Sequence, residues 1–291
     1  MFNKEHCSPK RNKKINSCIS KDILKTLAET INSFDECDKI NIKLKPNKLK
    51  EKIKNELSKI SDCKYESCWP KISKLMEQLD EDTKEDLELS FKPTKPQSWY
   101  SEPNKWLNTS DIDNVLDRYE EKYEKFKYYG AIPIDFDREN SNGTCAVNEI
   151  CKINLKEVLD DGFHSIGVVF NTDTSFGPGQ HWFSIYVDLV GKNIKNTPCF
   201  YYFDSVGTDA PDEIEELVND LIEQSKTCCK KPLKVAYNNL QHQYKNTECG
   251  VYSIHFLTEM IKGKNFKKYI KKRIPDEEME KFRNIFFIEN K

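Results

Sequence analysis

No apolar run in this 291-residue chain approaches the ~20 residues that a membrane-spanning helix needs, so no membrane partner is expected. The opening Met1-Phe2-Asn3 leads into Lys10-Arg11-Asn12-Lys13-Lys14 with no apolar stretch behind it, and no secretory signal is expected. No two of the eleven cysteines stand at the Cys-x-x-Cys spacing that lets two thiolates share one zinc ion, so neither a metal nor any other cofactor is expected. The nearest pairs are Cys228 and Cys229, Cys63 and Cys68, and Cys145 and Cys151. Without a secretory leader the compartment is expected to be reducing and the thiols mostly free. Internal repeats are also lacking, which excludes a solenoid, and a net charge of -2 names no partner. Histidine is scarce, with five in all, so any acid-base chemistry has few candidates.

What is present falls into two stretches. Residues 1–95 are rich in Lys and Glu and helical in pattern. Ile19, Ile23, Leu24, Leu27, Ile31 and Phe34 recur at helical spacing behind Ser20, a candidate N-cap. A second helix is expected from Trp69 to Leu79, with Pro70 in its first turn. The run from Phe91 to Ser98, with Pro93 and Pro96, reads as a linker. Residues 96–291 carry more aromatic and β-branched side chains. Helices are expected from Ser110 or Asp111 to Phe126, from Asp212 to Gln224, and onward from Gly250. Strands are expected at Ile132–Phe136, Ser165–Phe170, Trp182–Val190, Cys199–Asp204 and Leu233–Tyr237. Strands in the centre with helices around them predict an α+β fold.

Cys249 stands where a polar loop meets an apolar helix. A thiol at a helix N-terminus faces unpaired N–H groups and the positive end of the dipole, both of which favour the attacking thiolate. Gly250 lets backbone pass close to a substrate. Among the histidines, His6 lies in the terminal stretch, His255 shares the helix with Cys249 but points away from its tip, and His164 begins a strand without special company. His242, in the loop before Cys249, is a rival to His181. The latter follows Gly177-Pro178-Gly179-Gln180, a flexible turn, and opens an apolar strand. A sheet would hold it rigidly at a cleft, as a general base requires. The acid that orients the base is expected to be Asp204, at the end of the next strand; Asp188 lies too far along the strand from His181 at ~3.3 Å per residue.

His181-Trp182, Tyr202-Phe203-Asp204-Ser205, and Gln243 ahead of Cys249-Gly250 together resemble the Ulp1/adenain class of cysteine proteases, which includes SUMO-specific and viral maturation enzymes. Trp106-Leu107-Asn108 resembles the element that opens the SUMO-protease catalytic domain. A closer resemblance runs to the polyprotein-processing proteases of African swine fever virus and other large DNA viruses. It extends to Ser17-Cys18-Ile19-Ser20-Lys21, Asp135-Phe136-Asp137-Arg138, Asn171-Thr172-Asp173, Thr247-Glu248 and Arg273-Ile274-Pro275-Asp276-Glu277, with Met279, Lys281, Phe282 and Arg283 beyond.

The resemblance implies a Ulp1-like core over 96–291 and a helical arm domain over 1–95. It implies a nucleophile at Cys249, a base at His181 oriented by Asp204, and an oxyanion donor at Gln243, a role Asn246 could share. Trp106 and Trp182 would wall a tunnel that admits only glycine, hence cleavage after Gly-Gly in viral structural polyproteins, within virions and host cytoplasm. A ubiquitin-like or SUMO-type isopeptidase is the alternative, and an inactive binding module a second. The Lys262–Arg273 stretch could touch nucleic acid weakly, though a solvated helix face explains it as well.

Overall fold

The computed structural model describes residues 6–10, 16–229 and 231–289. Residues 1–5 and 11–14, on which the expectation about a secretory leader rests in part, lie outside the described residues. The chain divides into two compact units, Met1–Lys95 with Phe287–Lys291, and Pro96–Phe286.

The first unit is helical. Helix α1 (Lys21–Ile31) starts at Ser20, whose hydroxyl accepts from the Ile23 N–H at 3.2 Å, and it buries Leu24, Leu27, Ala28 and Ile31. Helix α2 (Pro46–Ile60) carries proline in its first turn and buries Leu49, Ile53 and Leu57 against α1, though no helix was expected there. The helix expected over Trp69–Leu79 does not form. A 3-10 turn spans Glu66–Lys71, Ile72 is extended, and α3 (Ser73–Met76) is one turn long. The break falls at Ile72, whose extended backbone (φ -83°, ψ 98°) separates the turn that holds Pro70 from α3. Helix α4 (Glu81–Leu89) follows, capped by Asp80. The expected linker is paired on both flanks, with Phe91 bridging Cys7 and Thr94 bridging Ile288.

The second unit has the expected α+β architecture. Helix α5 (Thr109–Lys122) opens with a reciprocal capping box between Asn108 and Asp111. It ends before Phe126, which instead begins strand β1 (Phe126–Pro133). After the short helices α6 (Asn148–Cys151) and α7 (Leu155–Asp160) come β2 (Ser165–Asn171), β3 (Trp182–Asp188) and β4 (Cys199–Phe203). Helix α8 (Asp212–Cys228) then crosses over to β5 (Lys234–Tyr237). The strands lie in the order β1-β2-β3-β4-β5, parallel at the two outer pairs and antiparallel at β2–β3 and β3–β4. Every residue of β2, β3 and β4 is buried, because both faces are covered. Ile166, Phe170, Phe183 and Tyr202 join Leu217 and Leu221 of α8 in one core. On the other face Phe203 stacks on Phe256 of α9 (Cys249–Ile261), a helix buried along nearly all its length. Helices α10 (Phe266–Tyr269) and α11 (Asp276–Phe286) complete the unit.

The cysteines correct an expectation. Cys7–Cys18, Cys63–Cys68 and Cys145–Cys151 form disulfides, with Cα atoms 4.9, 5.8 and 6.2 Å apart, a spacing the fold sets and sequence distance does not. Cys37, Cys199, Cys228, Cys229 and Cys249 are free.

Gly167 of β2 lies under the Phe126 ring: a Cβ there would come within 2.7 Å of it. Gly167→Ala is therefore expected to overpack the sheet and lower stability by roughly 1–3 kcal/mol, read as a lower urea midpoint with unchanged slope.

Candidate active site

Strands β3 and β4 run antiparallel with Ser184 opposite Phe203, so the residue before β3 and the residue after β4 meet at one rim of the sheet. These are His181 and Asp204, and His181 Nε2 lies 2.7 Å from Asp204 Oδ1. The carboxylate is 1 % exposed and has further partners. Val206 N–H donates to Oδ1 at 2.9 Å, and the Thr208 hydroxyl donates to Oδ2. The Asn238 amide holds the Asp204 carbonyl at 2.7 Å. Thr208 and Asn238 were not anticipated; the Asp204-Ser205-Val206-Gly207-Thr208 turn, with Gly207 at φ 76°, was the signal for the first of them.

Cys249 is the first residue of α9 and lies close enough to the His181 imidazole to influence its protonation. Since Nε2 faces Asp204, Nδ1 is the ring nitrogen left for the sulfur. Gly250 makes the approach close: a Cβ there would stand 3.1 Å from Leu107 Cβ and 3.4 Å from Trp182 Cδ1. Burial works against a charged His181 and is the largest single influence on it. The hydrogen bonds and charges of Asp204 and Cys249 together outweigh burial and push the imidazole up to about 10.

The other expected residues fall in different places. Trp182 donates its indole N–H to Leu107 O at 2.9 Å. It lines a cleft of about 440 Å³ together with Trp106, which is 45 % exposed. Gln243 is buried, its Oε1 taking the Ser205 hydroxyl at 2.7 Å and its Nε2 donating to Lys245 O at 2.6 Å, which leaves one amide hydrogen. Asn246 is exposed in the bend before α9. The supposedly flexible turn before His181 is stitched down. Asp173 accepts from Gly179 N–H at 3.0 Å, Asn171 from Gln180 N–H at 3.0 Å, and Asp135 from Ser175 N–H at 2.7 Å. A Cβ on Gly177 would overlap the Asp173 carboxylate, so that position needs glycine.

The rivals have other roles. His242 is fully buried, accepts from Ile274 N–H at 3.1 Å, and is pushed down to about 4 by burial and the Arg273 charge. His255 bonds the Tyr269 hydroxyl at 2.9 Å and is likewise pushed down to about 4, chiefly by burial. His164 adjoins Ser165, which pairs with Asp188 at the opposite rim. Asp188 closes the turn after β3 by accepting from Gly191 and Asn193 N–H groups, both at 2.8 Å. His6 is not a loose end, since its ring contacts Ser67 Oγ at 3.1 Å. A larger cavity of about 580 Å³ lies at that opposite rim beside His164 and Asp188, and none of His181, Asp204 or Cys249 lines it. Among the described residues no cluster of three or more His, Cys, Asp or Glu could hold a metal ion.

His181 binds its proton more tightly in the fold than at its ordinary value of 6.5, so its contribution to stability is full below about 6.5 and is lost as pH rises through about 10. The gap in denaturation midpoint between the parent and His181→Gln should therefore narrow across that interval. A gap that stays constant would count against the coupling.

Comparison with known proteins gives this arrangement a family. Residues 164–291 match the Ulp1 protease family, C-terminal catalytic domain. A SUMO-1 cysteine protease of African swine fever virus (isolate Pig/Kenya/KEN-50/1950) is 30% identical over 281 residues, covering 90% of this chain and 98% of the relative. A protein of Acanthamoeba polyphaga mimivirus named as a thiol protease is 28% identical over 297 residues, covering 97% and 92%. The fold matches a crystal structure of the African swine fever virus protease with a TM-score of 0.67 at 23% identity, over 99% of this chain and 97% of that one. The chain therefore belongs to the Ulp1 family and is a cysteine protease.

Proposed function

We propose that this protease is an endopeptidase that cleaves after Gly-Gly in viral structural polyproteins during virion maturation, with Cys249 as nucleophile, His181 as base and Asp204 as its orienting acid. The observation that carries the reading is that Trp106 and Trp182 line one cleft, with Trp182 within contact range of the residue that follows Cys249. In this reading the two indoles wall the path toward Cys249 and select an extended peptide with glycine at the scissile bond.

In the proposed reaction the Cys249 sulfur attacks the carbonyl carbon of the second glycine. His181, which holds the proton taken from the thiol, delivers it to the leaving amine, and water then hydrolyses the thioester with His181 as base. The oxyanion would be met by the Cys249 N–H, at the start of α9, and by the remaining amide hydrogen of Gln243. Asn246 is the weaker candidate for that role because it is exposed in the bend. Asp204, fixed by Val206 and Thr208, keeps the imidazole ring in one orientation.

The viral relatives support the viral setting of this reading, because similarity to them runs through 90% or more of this chain and is not confined to the catalytic part. A SUMO-type deconjugase is the second reading, favoured by the printed name of one relative. A weak contact with nucleic acid through the exposed Lys267, Lys268, Lys271 and Lys272 is compatible with either; Lys262 and Lys264 are already paired with Glu259. Action in the virion and host cytoplasm belongs to the first reading, and among the described residues no helix is long and apolar enough to cross a membrane.

Cys249→Ala is expected to abolish cleavage of a Gly-Gly-X peptide while leaving the melting curve intact; retained cleavage would sink the assignment. Gln243→Ala should lower kcat about 10²–10³-fold with little change in KM, the signature of a lost oxyanion donor. Comparable rates on the peptide and on a ubiquitin-like fusion would favour the polyprotein reading, whereas a strong preference for the fusion would favour the deconjugase.

A further inference from the structure

Arg283 lies in α11, outside the cleft, and is 3 % exposed. Its guanidinium nevertheless joins two segments next to residues of the candidate site. Nε donates to the Glu248 carboxylate at 2.8 and 3.1 Å, one terminal nitrogen to Thr247 O at 3.1 Å, and the other to Lys105 O at 2.8 Å. The cation also rests 4.5 Å from the centre of the Trp99 ring. Thr247 and Glu248 are the two residues before Cys249, and Lys105 is the residue before Trp106. One rigid fork thus spans the start of the nucleophile helix and the start of the Trp106 wall. Other parts of the same C-terminal segment pin the intervening loop. Arg273 donates to His242 O at 2.8 Å, and Asp276 accepts from Tyr244 N–H at 3.1 Å, on either side of Gln243.

We propose that Arg283 is a positioning residue that sets the separation between the Trp106 wall and the tip of the Cys249 helix, and so the width of the channel for the glycines. The inference rests on the proposed roles of Cys249 and Trp106. Planarity is what suits arginine to the task. Its five N–H donors point in fixed directions and serve three acceptors at once, whereas a lysine ammonium satisfies the charge of Glu248 without holding the two carbonyls at a set distance.

The test uses the full chain with Arg283→Lys, and with the double variant Glu248→Gln, Arg283→Met. The double variant removes both buried charges together, so it keeps the fold even if the single variant does not. Three quantities are read: KM and kcat for a Gly-Gly-X peptide, the rate of Cys249 alkylation by iodoacetamide, and acrylamide quenching of Trp106 fluorescence. Trp69, Trp99 and Trp182 are 0, 5 and 7 % exposed, and subtracting the signal of a matched Trp106→Phe variant isolates that of Trp106. The expected result is a fall in kcat/KM on the order of 10²-fold, carried mainly by KM, with altered Trp106 quenching and unchanged alkylation. Unchanged KM and quenching in a folded variant overturn the proposal. Parallel losses in cleavage and alkylation also overturn it, since a general loosening of the fold produces them. If the parent itself fails to cleave the peptide, the Gly-Gly reading falls, and quenching alone decides the role of Arg283.

Discussion

The antiparallel register of β3 against β4 is the constraint on which the catalytic half depends. With Ser184 opposite Phe203, His181 and Asp204 stand at the same rim, and their side chains meet at 2.7 Å. Side chains alternate faces along a strand, so a slip of one residue would turn the slipped strand inside out as well as separate the pair. The sheet tolerates no such slip, because both faces are buried and each strand has large side chains committed to each face. Phe183 and Tyr202 pack on one side, and Tyr186, Tyr201 and Phe203 on the other. Packing energy spread across the whole sheet thus fixes one hydrogen bond at its edge.

Cys249, the proposed nucleophile, is placed by different physics. Helix α9 is held by burial on nearly every side, and Gly250 lets its first turn press against Leu107 and Trp182. Its N-terminal flank carries a carboxylate, Glu248, directly before the proposed nucleophile. Burial raises the pKa of this carboxyl, and the bond to Arg283 opposes that rise. The flank is electrostatically quiet only as long as the guanidinium is in place. An ion pair this deep is weak evidence for stability and better evidence for geometry, since partial loss leaves a buried charge alone.

What was legible in the sequence was whatever rests on local pattern. The apolar strands announced His181 and Asp204 by where they stopped, and the change from polar loop to apolar helix announced Cys249. The Ser20 cap and the Ile112, Val115 and Leu116 stripe of α5 were equally plain. Errors arose where one residue carried two signals. Pro70 reads as a helix opener but sits inside a 3-10 turn that ends at extended Ile72, and Phe126 continues a helical stripe but is taken by the sheet because Gly167 makes room for its ring. Pairings between distant segments had no sequence signature. The Cys7–Cys18 disulfide, the Asn238 amide on the Asp204 carbonyl and the Arg283 fork each depend on distances that only the folded chain defines.

The fork has a bearing on when the enzyme could first act. During synthesis the strands bearing His181 and Asp204 leave the ribosome before Cys249, and α11 follows later still. A nascent chain that has exposed its sulfur but not yet Arg283 has no link between the helix tip and the Trp106 segment, and Glu248 has no counter-ion. On the proposed roles, cleavage would then reach its full rate only when the last helix docks.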